Sequence, residues 1–189
     1  MQINHLGAGV HTIDGFLSPT ECAQLITESE AHGYTEAAIR TDDGERLYKD
    51  ARNNDRIVFD SPEIAERLYR IAEPWLPPEL DGWRIRGFNE RFRYYRYGPG
   101  QQFTWHQDGT VRLGPHKESF LTFMVYLNDG FEGGSTDFGW ESVQPVQGRA
   151  LVFPHRLRHR GAVVGAGVKY VLRTDVLYAS GDAAGGSQE

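Results

Sequence analysis

The spacing of apolar positions divides the chain into a helical first part and a strand-rich second part. Ser18-Pro19-Thr20-Glu21 combines a cap residue, a proline at the first helical position and a glutamate three after the cap. That predicts a helix to about His32, with Gly33 as its stop. Ser61-Pro62-Glu63 opens a second helix, with Ile64, Leu68 and Ile71 on one face and Pro74, Pro77 and Pro78 ending it. Between the two, residues 40–60 are polar and contain the turn signal Asp42-Asp43-Gly44. They are expected as a long loop or a pair of short edge strands, and a long segment of this kind in a compact domain suits a functional lid.

From about residue 84 the pattern turns β. Residues 91–97, 120–127, 149–153 and 169–178 read as strands, separated by Tyr97-Gly98-Pro99-Gly100, Asn128-Asp129-Gly130 and Gly133-Gly134. Strands and helices do not alternate, so a parallel α/β sheet is excluded in favour of a barrel or double-sheet jelly roll with helical support. One face of residues 120–127 is apolar (Leu121, Phe123, Val125, Leu127), and the other is mixed (Phe120, Thr122, Met124, Tyr126). Residues 169–178 divide likewise, with Tyr170, Leu172 and Val176 opposite Lys169, Val171, Arg173 and Asp175. Taken alone, such a pattern is that of a half-solvated sheet with its polar side outward.

Composition narrows the class. At 189 residues the chain is long enough for a core without staples. Its single cysteine, Cys22, excludes a disulfide framework and argues against a zinc-thiolate site. The formal net charge of −6 makes nucleic acid a poor default partner. No apolar run reaches membrane-spanning length, and the first residues lack a signal-peptide pattern, so a cytoplasmic, reducing location is expected. Residues 1–178 are expected to form one domain, with 1–83 mostly helical support and lid and 84–178 the β core. Residues 179–189, small and Gly-rich, are expected as a disordered tail.

His106-Gln107-Asp108 lies at the end of a strand-like segment. Residues i and i+2 of a strand point the same way, about 7 Å apart at Cα. An imidazole and a carboxylate so placed can share a metal ion, and a distant histidine completes the facial triad of non-haem iron oxygenases. The motif alone is weak: with 7 histidines and 26 acidic residues in 189, about one His-x-Asp/Glu arises by chance. A second, His116-Lys117-Glu118, follows Gly114-Pro115 in a polar stretch that reads as solvated loop. His155 and His159 are both candidates for the third ligand, and their shared parity does not choose between them. Lys169 and Arg173 share a strand face and could hold a ligand carboxylate, with Tyr126 and Tyr97 as hydroxyl donors.

Several ordered segments together resemble a known family. Residues 97–108, Tyr-Gly-Pro-Gly-Gln-Gln-Phe-Thr-Trp-His-Gln-Asp, resemble its Tyr-Gly-x-Gly-x-x-Tyr/Phe-x-x-His-x-Asp segment. Val125-Tyr126-Leu127-Asn128, then Gly133-Gly134-Ser135-Thr136-Asp137-Phe138, are similar to its Tyr-Leu-Asn and Gly-Gly-x-Thr-x-Phe elements. Gly148 to Phe153 are similar to the strand before its distal histidine, and His159, Gly161 and Gly167-Val168-Lys169-Tyr170 follow. The family is the 2-oxoglutarate/Fe(II) dioxygenases, prolyl 4-hydroxylase-like branch. The match covers roughly residues 90–178, and Arg52-Asn53-Asn54-Asp55-Arg56 resembles an upstream pattern.

The resemblance implies a double-stranded β-helix (a cupin-like jelly roll) with His106, Asp108 and His159 as iron ligands. Lys169 matches the position that binds the distal carboxylate of 2-oxoglutarate, with Tyr126, Tyr97 and Arg173 as further co-substrate contacts. Lys169 and Tyr126 then point inward, which reverses the polar-outward reading, and His155 becomes a neighbour of the site or a surface residue. The implied activity is hydroxylation of an unactivated C–H bond of a peptide, protein or amino-acid-like substrate, with O₂ consumed, succinate and CO₂ released, and ascorbate as a reductant. Asp108 itself argues for hydroxylation, because related halogenases carry a small residue there and leave room for chloride. Arg52, Arg56, Arg93, Tyr95 and Trp105 are the candidates for the substrate side. Phe103 stands where the family often has tyrosine, and Arg158 and Arg160 flank His159. The rival readings are a nucleic-acid demethylase of the same superfamily and a non-enzymatic jelly roll that binds metal or ligand.

Overall fold

A computed structural model describes residues 1–36, 39–41, 44–46 and 53–181. Arg52, residues 42–43 and 47–51 of the expected lid, and the last eight residues lie outside the described residues.

The two helices form where the capping signals place them. Helix α1 spans Pro19–His32; the Ser18 hydroxyl accepts from the Glu21 amide while Glu21 accepts from the Ser18 amide, a reciprocal cap. Gly33 closes it at φ 79°, a conformation that costs a residue with a Cβ but not glycine. Helix α2 spans Pro62–Ala72, capped by Ser61 and continued by one 3₁₀ turn, Glu73–Trp75.

A large antiparallel sheet runs in the order Gln2–Gly7, Val10–Asp14, Ala150–Pro154, Lys117–Tyr126, Lys169–Ala179, Arg91–Tyr97, Asp55–Asp60 and Thr35–Glu36. Trp83–Phe88 pairs with the far end of Lys169–Ala179. A smaller sheet, in the order Phe103–His106, His159–Gly161, Thr136–Phe138 and Glu141–Val143, completes a two-sheet jelly roll.

Both faces of the large sheet are covered, which is why its strands are not polar-outward. On one face Leu121, Phe123, Val125, Leu127, Leu172 and Val176 pack with Cys22, Leu25, Ala65 and Leu68 of the helices. On the other, Tyr95, Tyr97, Tyr126, Leu151, Phe153 and Val171 pack with Phe138 and Val143 of the small sheet. Full burial of a side chain such as Leu68 or Phe92 contributes about 1.5–3 kcal/mol. The mixed face of each central strand is therefore the inside of the jelly roll.

Four expectations are corrected. Residues 1–83 are more than helical support and lid: Gln2–Gly7 and Val10–Asp14 form a hairpin whose second strand extends the large sheet against Ala150–Pro154. Asp55–Asp60, placed in the lid from sequence, is a sheet strand paired with Arg91–Tyr97. Glu118, expected in loop, belongs to the strand Lys117–Tyr126. Ala179, placed in the tail from sequence, ends the last strand, and the Ser180 amide donates to the His116 carbonyl.

Candidate active site

His106 and His159 face each other as cross-strand partners in the small sheet, with ring centroids 4.2 Å apart. Each ring is oriented by its own strand. Nδ1 of His106 donates to the Thr104 carbonyl at 2.7 Å, and Nδ1 of His159 donates to the Leu157 carbonyl at 2.9 Å. A carbonyl only accepts, so these bonds fix the tautomer and leave both Nε2 lone pairs free. Asp108 follows two residues after His106, its amide held by the His155 carbonyl. Its Oδ1 lies 3.7 Å from His106 Nε2 and its Oδ2 lies 3.6 Å from His159 Nε2. One ligand atom from each residue falls within 4.8 Å of the other two.

Protonation favours a metal here. Burial pushes His106 down to about 4, with His159 adding to the shift and Asp108 opposing it. Burial also lowers His159. For Asp108 burial opposes ionisation, but Arg173 and the two histidines more than offset it, so the carboxyl sits well below its usual range. Two neutral imidazoles and one carboxylate are the protonation states that a metal ion requires.

Behind Asp108 is a hydrogen-bonded chain. The Thr122 hydroxyl donates to Asp108 Oδ2 at 2.5 Å. Thr122 then accepts from His155 Nδ1 at 2.9 Å, and His155 Nε2 accepts from the Ser119 hydroxyl at 2.8 Å. Of the two histidines that sequence parity left open, His159 therefore faces His106 and Asp108, while His155 is buried one step back.

The cavity beside the triad is lined by Tyr95, Tyr97, Phe103, Thr136, Phe153 and Lys169, among others. Phe103, where the sequence comparison expected tyrosine, stacks on His106 with centroids 3.5 Å apart and brings no hydroxyl. Lys169 is buried; its Nζ donates to the Gly134 carbonyl at 2.5 Å and lies 5.3 Å from the ring centres of Tyr97 and Tyr126. Burial drives it down to about 7, with Asp137 a weaker opposing influence. Gly134 has φ +68°, and a Cβ there would meet Phe131 at 2.9 Å and the Lys169 chain at 3.2 Å. That position therefore needs glycine.

Other expected residues are distributed differently. Arg173 lines the cavity, but its Nη1 lies 2.9 Å from Asp108 Oδ1 and its Nη2 is 3.4 Å from Asp175 Oδ1. Tyr126 is fully buried beside the cavity, and its hydroxyl donates to Thr136 at 2.7 Å, so Thr136 is the hydroxyl that faces the opening. Tyr95 lines the cavity, whereas Arg93 pairs with Asp175 at 3.3 Å. Arg56 sits opposite Tyr95 in the adjoining strand. Trp105 alternates with His106 along its strand and is 37% exposed on the outer face, with the Arg158 and Arg160 guanidiniums 5.9 and 5.2 Å from its ring centre. The structure does not bring Trp105 to the cavity. Thr122, Thr136 and Asp175 were missed as site residues; the signal was a polar residue on the mixed face of a central strand for Thr122 and Asp175, and the Gly-Gly-x-Thr-x-Phe element for Thr136.

A jelly roll with two histidines and an aspartate converging on one cavity has the architecture of a non-haem metal oxygenase. Residues 92–174 match the family model of the 2OG-Fe(II) oxygenase superfamily. That match and the His106–Asp108–His159 triad together support Fe(II) and 2-oxoglutarate as cofactors, with O₂ as co-substrate. No curated protein matched the sequence. Among solved structures, the chain is similar to the viral collagen prolyl hydroxylase of Paramecium Bursaria Chlorella virus-1, in complex with 2-oxoglutarate. That pair has 25% identity and a TM-score of 0.66, covering 92% of this chain and 97% of the other. It is also similar in fold to a Pseudomonas putida prolyl-4-hydroxylase, at 17% identity and TM-score 0.64, over 92% and 94% of the two chains. A Trichoplax adhaerens prolyl hydroxylase in complex with a hypoxia inducible factor peptide fragment aligns at 17% identity and TM-score 0.66, over 92% and 84%.

Proposed function

We propose that the protein hydroxylates a C–H bond of a peptide or protein substrate, using His106, Asp108 and His159 to hold Fe(II) and Lys169 to receive the distal carboxylate of 2-oxoglutarate. The observation that carries the reading is one cavity with three converging ligand atoms and a buried lysine. The neighbour at 25% identity is named a collagen prolyl hydroxylase, which supports a peptide or protein substrate.

When bound, iron supplies the oxidising chemistry: 2-oxoglutarate and O₂ become succinate and CO₂ as the substrate C–H gains one oxygen atom. The chain's own residues do the rest. The Thr104 and Leu157 carbonyls hold the Nδ1 protons, so both Nε2 atoms stay available as ligands. Lys169 offers an ammonium in a water-poor setting, where a carboxylate partner is worth more than at the surface. Thr136, already accepting from Tyr126, keeps its own hydroxyl proton free to donate to the same carboxylate. Tyr97, Phe103 and Phe153 give the cavity an aromatic lining.

The test is a panel of peptides, prolyl ones included, incubated with protein, Fe(II), 2-oxoglutarate and ascorbate. Succinate should form in step with a peptide heavier by one oxygen, in chloride buffer as in its absence. Succinate that never depends on a peptide, or a chlorinated product, would sink the reading.

A further inference from the structure

Arg173 and Lys169 are both cations on the inner face of the last strand, and only one is free to meet a co-substrate. The two terminal nitrogens of Arg173 are committed internally, while its buried Nε has no partner among the described residues. Its Nη1 is 2.9 Å from Asp108 Oδ1 and 3.5 Å from the Tyr95 hydroxyl, and its Nη2 is 3.4 Å from Asp175 Oδ1. Asp175 is in turn held by Arg93 at 3.3 Å and by the Asn89 amide at 3.4 Å. The Arg173 and Asp108 side chains are 12% and 3% exposed, and Asp175 1%, so the group is a nearly dry cluster.

We propose that Arg173 is a positioning residue for the metal site: together with Thr122 it sets the orientation of the Asp108 carboxylate, and Asp175 holds Arg173 in place. This rests on the reading of His106, Asp108 and His159 as metal ligands. The geometry explains how it works. Arg173 engages Oδ1 and Thr122 engages Oδ2, so the carboxylate is held at both oxygens against rotation about its Cβ–Cγ bond. An incoming metal then meets a fixed ligand and does not have to select one rotamer, the usual contribution of groups that hold a ligand from behind. A guanidinium so close to a metal site would repel the ion if it stood alone. It does not: Arg93, Arg173, Asp108 and Asp175 form a quartet of two cations and two anions, and its formal charge is zero. Arginine suits the position because its planar fork spans two carboxylates at once, which a lysine ammonium does less well.

The test uses Mn(II) as a redox-inert probe, titrated by electron paramagnetic resonance into metal-free protein, followed by 2-oxoglutarate at saturating Mn(II). Arg173→Lys keeps the charge and loses the fork; Asp175→Asn leaves Arg173 present but unclamped. Arg173→Lys should weaken Mn(II) about tenfold or more, the lower end of effects for residues behind metal ligands. Asp175→Asn should weaken it less, and 2-oxoglutarate affinity at saturating Mn(II) should change less than metal affinity in both. A bystander that merely supports the fold would not separate metal affinity from 2-oxoglutarate affinity in this way. Should Arg173→Lys fail to fold, Asp175→Asn carries the test. Wild-type Mn(II) affinity in the variants, while Asp108→Ala has lost the metal, overturns the proposal and leaves the metal site intact. A larger loss in 2-oxoglutarate than in Mn(II) affinity makes Arg173 a co-substrate residue and also overturns it. Retention of Mn(II) by Asp108→Ala removes the reading on which the proposal stands.

Discussion

Lys169 and Arg173 stand four residues apart on one strand, face the same interior and are both largely shielded from water, yet the protein treats their charges in opposite ways. Arg173 has carboxylates at 2.9 and 3.4 Å; burial works against its charge, but Asp108, Tyr95 and Asp175 outweigh that and raise it. Lys169 has a carbonyl and two aromatic ring faces, and burial pulls it down to about 7. A buried cation whose neighbours only partly compensate it is costly to the fold. The cost makes sense if the missing partner arrives with the co-substrate. One end of the cavity is thus complete in itself and the other awaits an anion.

The largest effects should come from the complete end. Alanine at His106, Asp108 or His159 should each weaken Mn(II) by more than about 100-fold, beyond what loss of a supporting residue costs, and should stop succinate formation. Electron paramagnetic resonance and a coupled succinate assay measure the two. If His159→Ala turns over normally while His155→Ala is dead, the two histidines have been exchanged. At the other end, Lys169→Ala should cost on the order of 2–5 kcal/mol of 2-oxoglutarate binding at saturating Mn(II), since the carboxylate loses its cation in a desolvated site. Calorimetry on the two variants tests the contrast: equal losses at Lys169 and Arg173 would erase it.

How far this contrast was legible in the sequence depends on which physical signal carried it. The helix ends were local chemistry, and Ser18, Glu21 and Gly33 act where their types predict. The candidate triad was legible because His106-x-Asp108 stands at the end of a strand and His159 lay in an ordered series of motifs. Strand periodicity divided Lys169–Ala179 correctly into faces but by itself put the polar face outward, because that face is covered by the small sheet, itself built from strands of three or four residues. The hairpin of residues 2–14 was missed because its pairing partner, Ala150–Pro154, is remote in sequence. The resemblance put Lys169 at the co-substrate carboxylate, but the commitment of Arg173 to Asp108 and Asp175 was not legible. It depends on Asp108 and Asp175 reaching the same guanidinium, which is a fact of packing.

The two cations should also differ in pH response. Lys169 must be protonated to pair with a carboxylate, and its value in the empty cavity is about 7. Below that pH the lysine is already charged and 2-oxoglutarate affinity should be flat in this respect. Above it, binding must take up a proton, so affinity should fall by up to about tenfold, or 1.4 kcal/mol, per pH unit until the pKa of the bound state is reached. Calorimetry in two buffers of different ionisation enthalpy, with Mn(II) saturating, reads the proton directly. The uptake should vanish in Lys169→Ala and persist in Arg173→Lys, because Arg173 does not titrate in this range. Proton uptake that survives the loss of Lys169 would assign it to another group.

The smallest effect expected tests how the hydroxyls are arranged around the lysine. Family resemblance named Tyr126 as a co-substrate donor, but its hydroxyl is buried and donates to Thr136 at 2.7 Å. An O–H has one proton, so a Tyr126 bonded to Thr136 has none left for a carboxylate, whereas Thr136 has accepted and still has its own to give. Tyr126→Phe should therefore leave 2-oxoglutarate affinity within about threefold of wild type, less than the 1 kcal/mol of a typical hydrogen bond. It should lower folding stability by about 1 kcal/mol, because Thr136 loses its buried partner. Thr136→Val, which keeps the shape and removes the donor that faces the cavity, should weaken 2-oxoglutarate more than Tyr126→Phe does. Titration of both variants beside a denaturant melt separates the alternatives. A Tyr126→Phe variant that melts normally but binds 2-oxoglutarate tenfold more weakly would mean that the tyrosine turns to the ligand on binding, and that the incomplete end of the cavity rearranges.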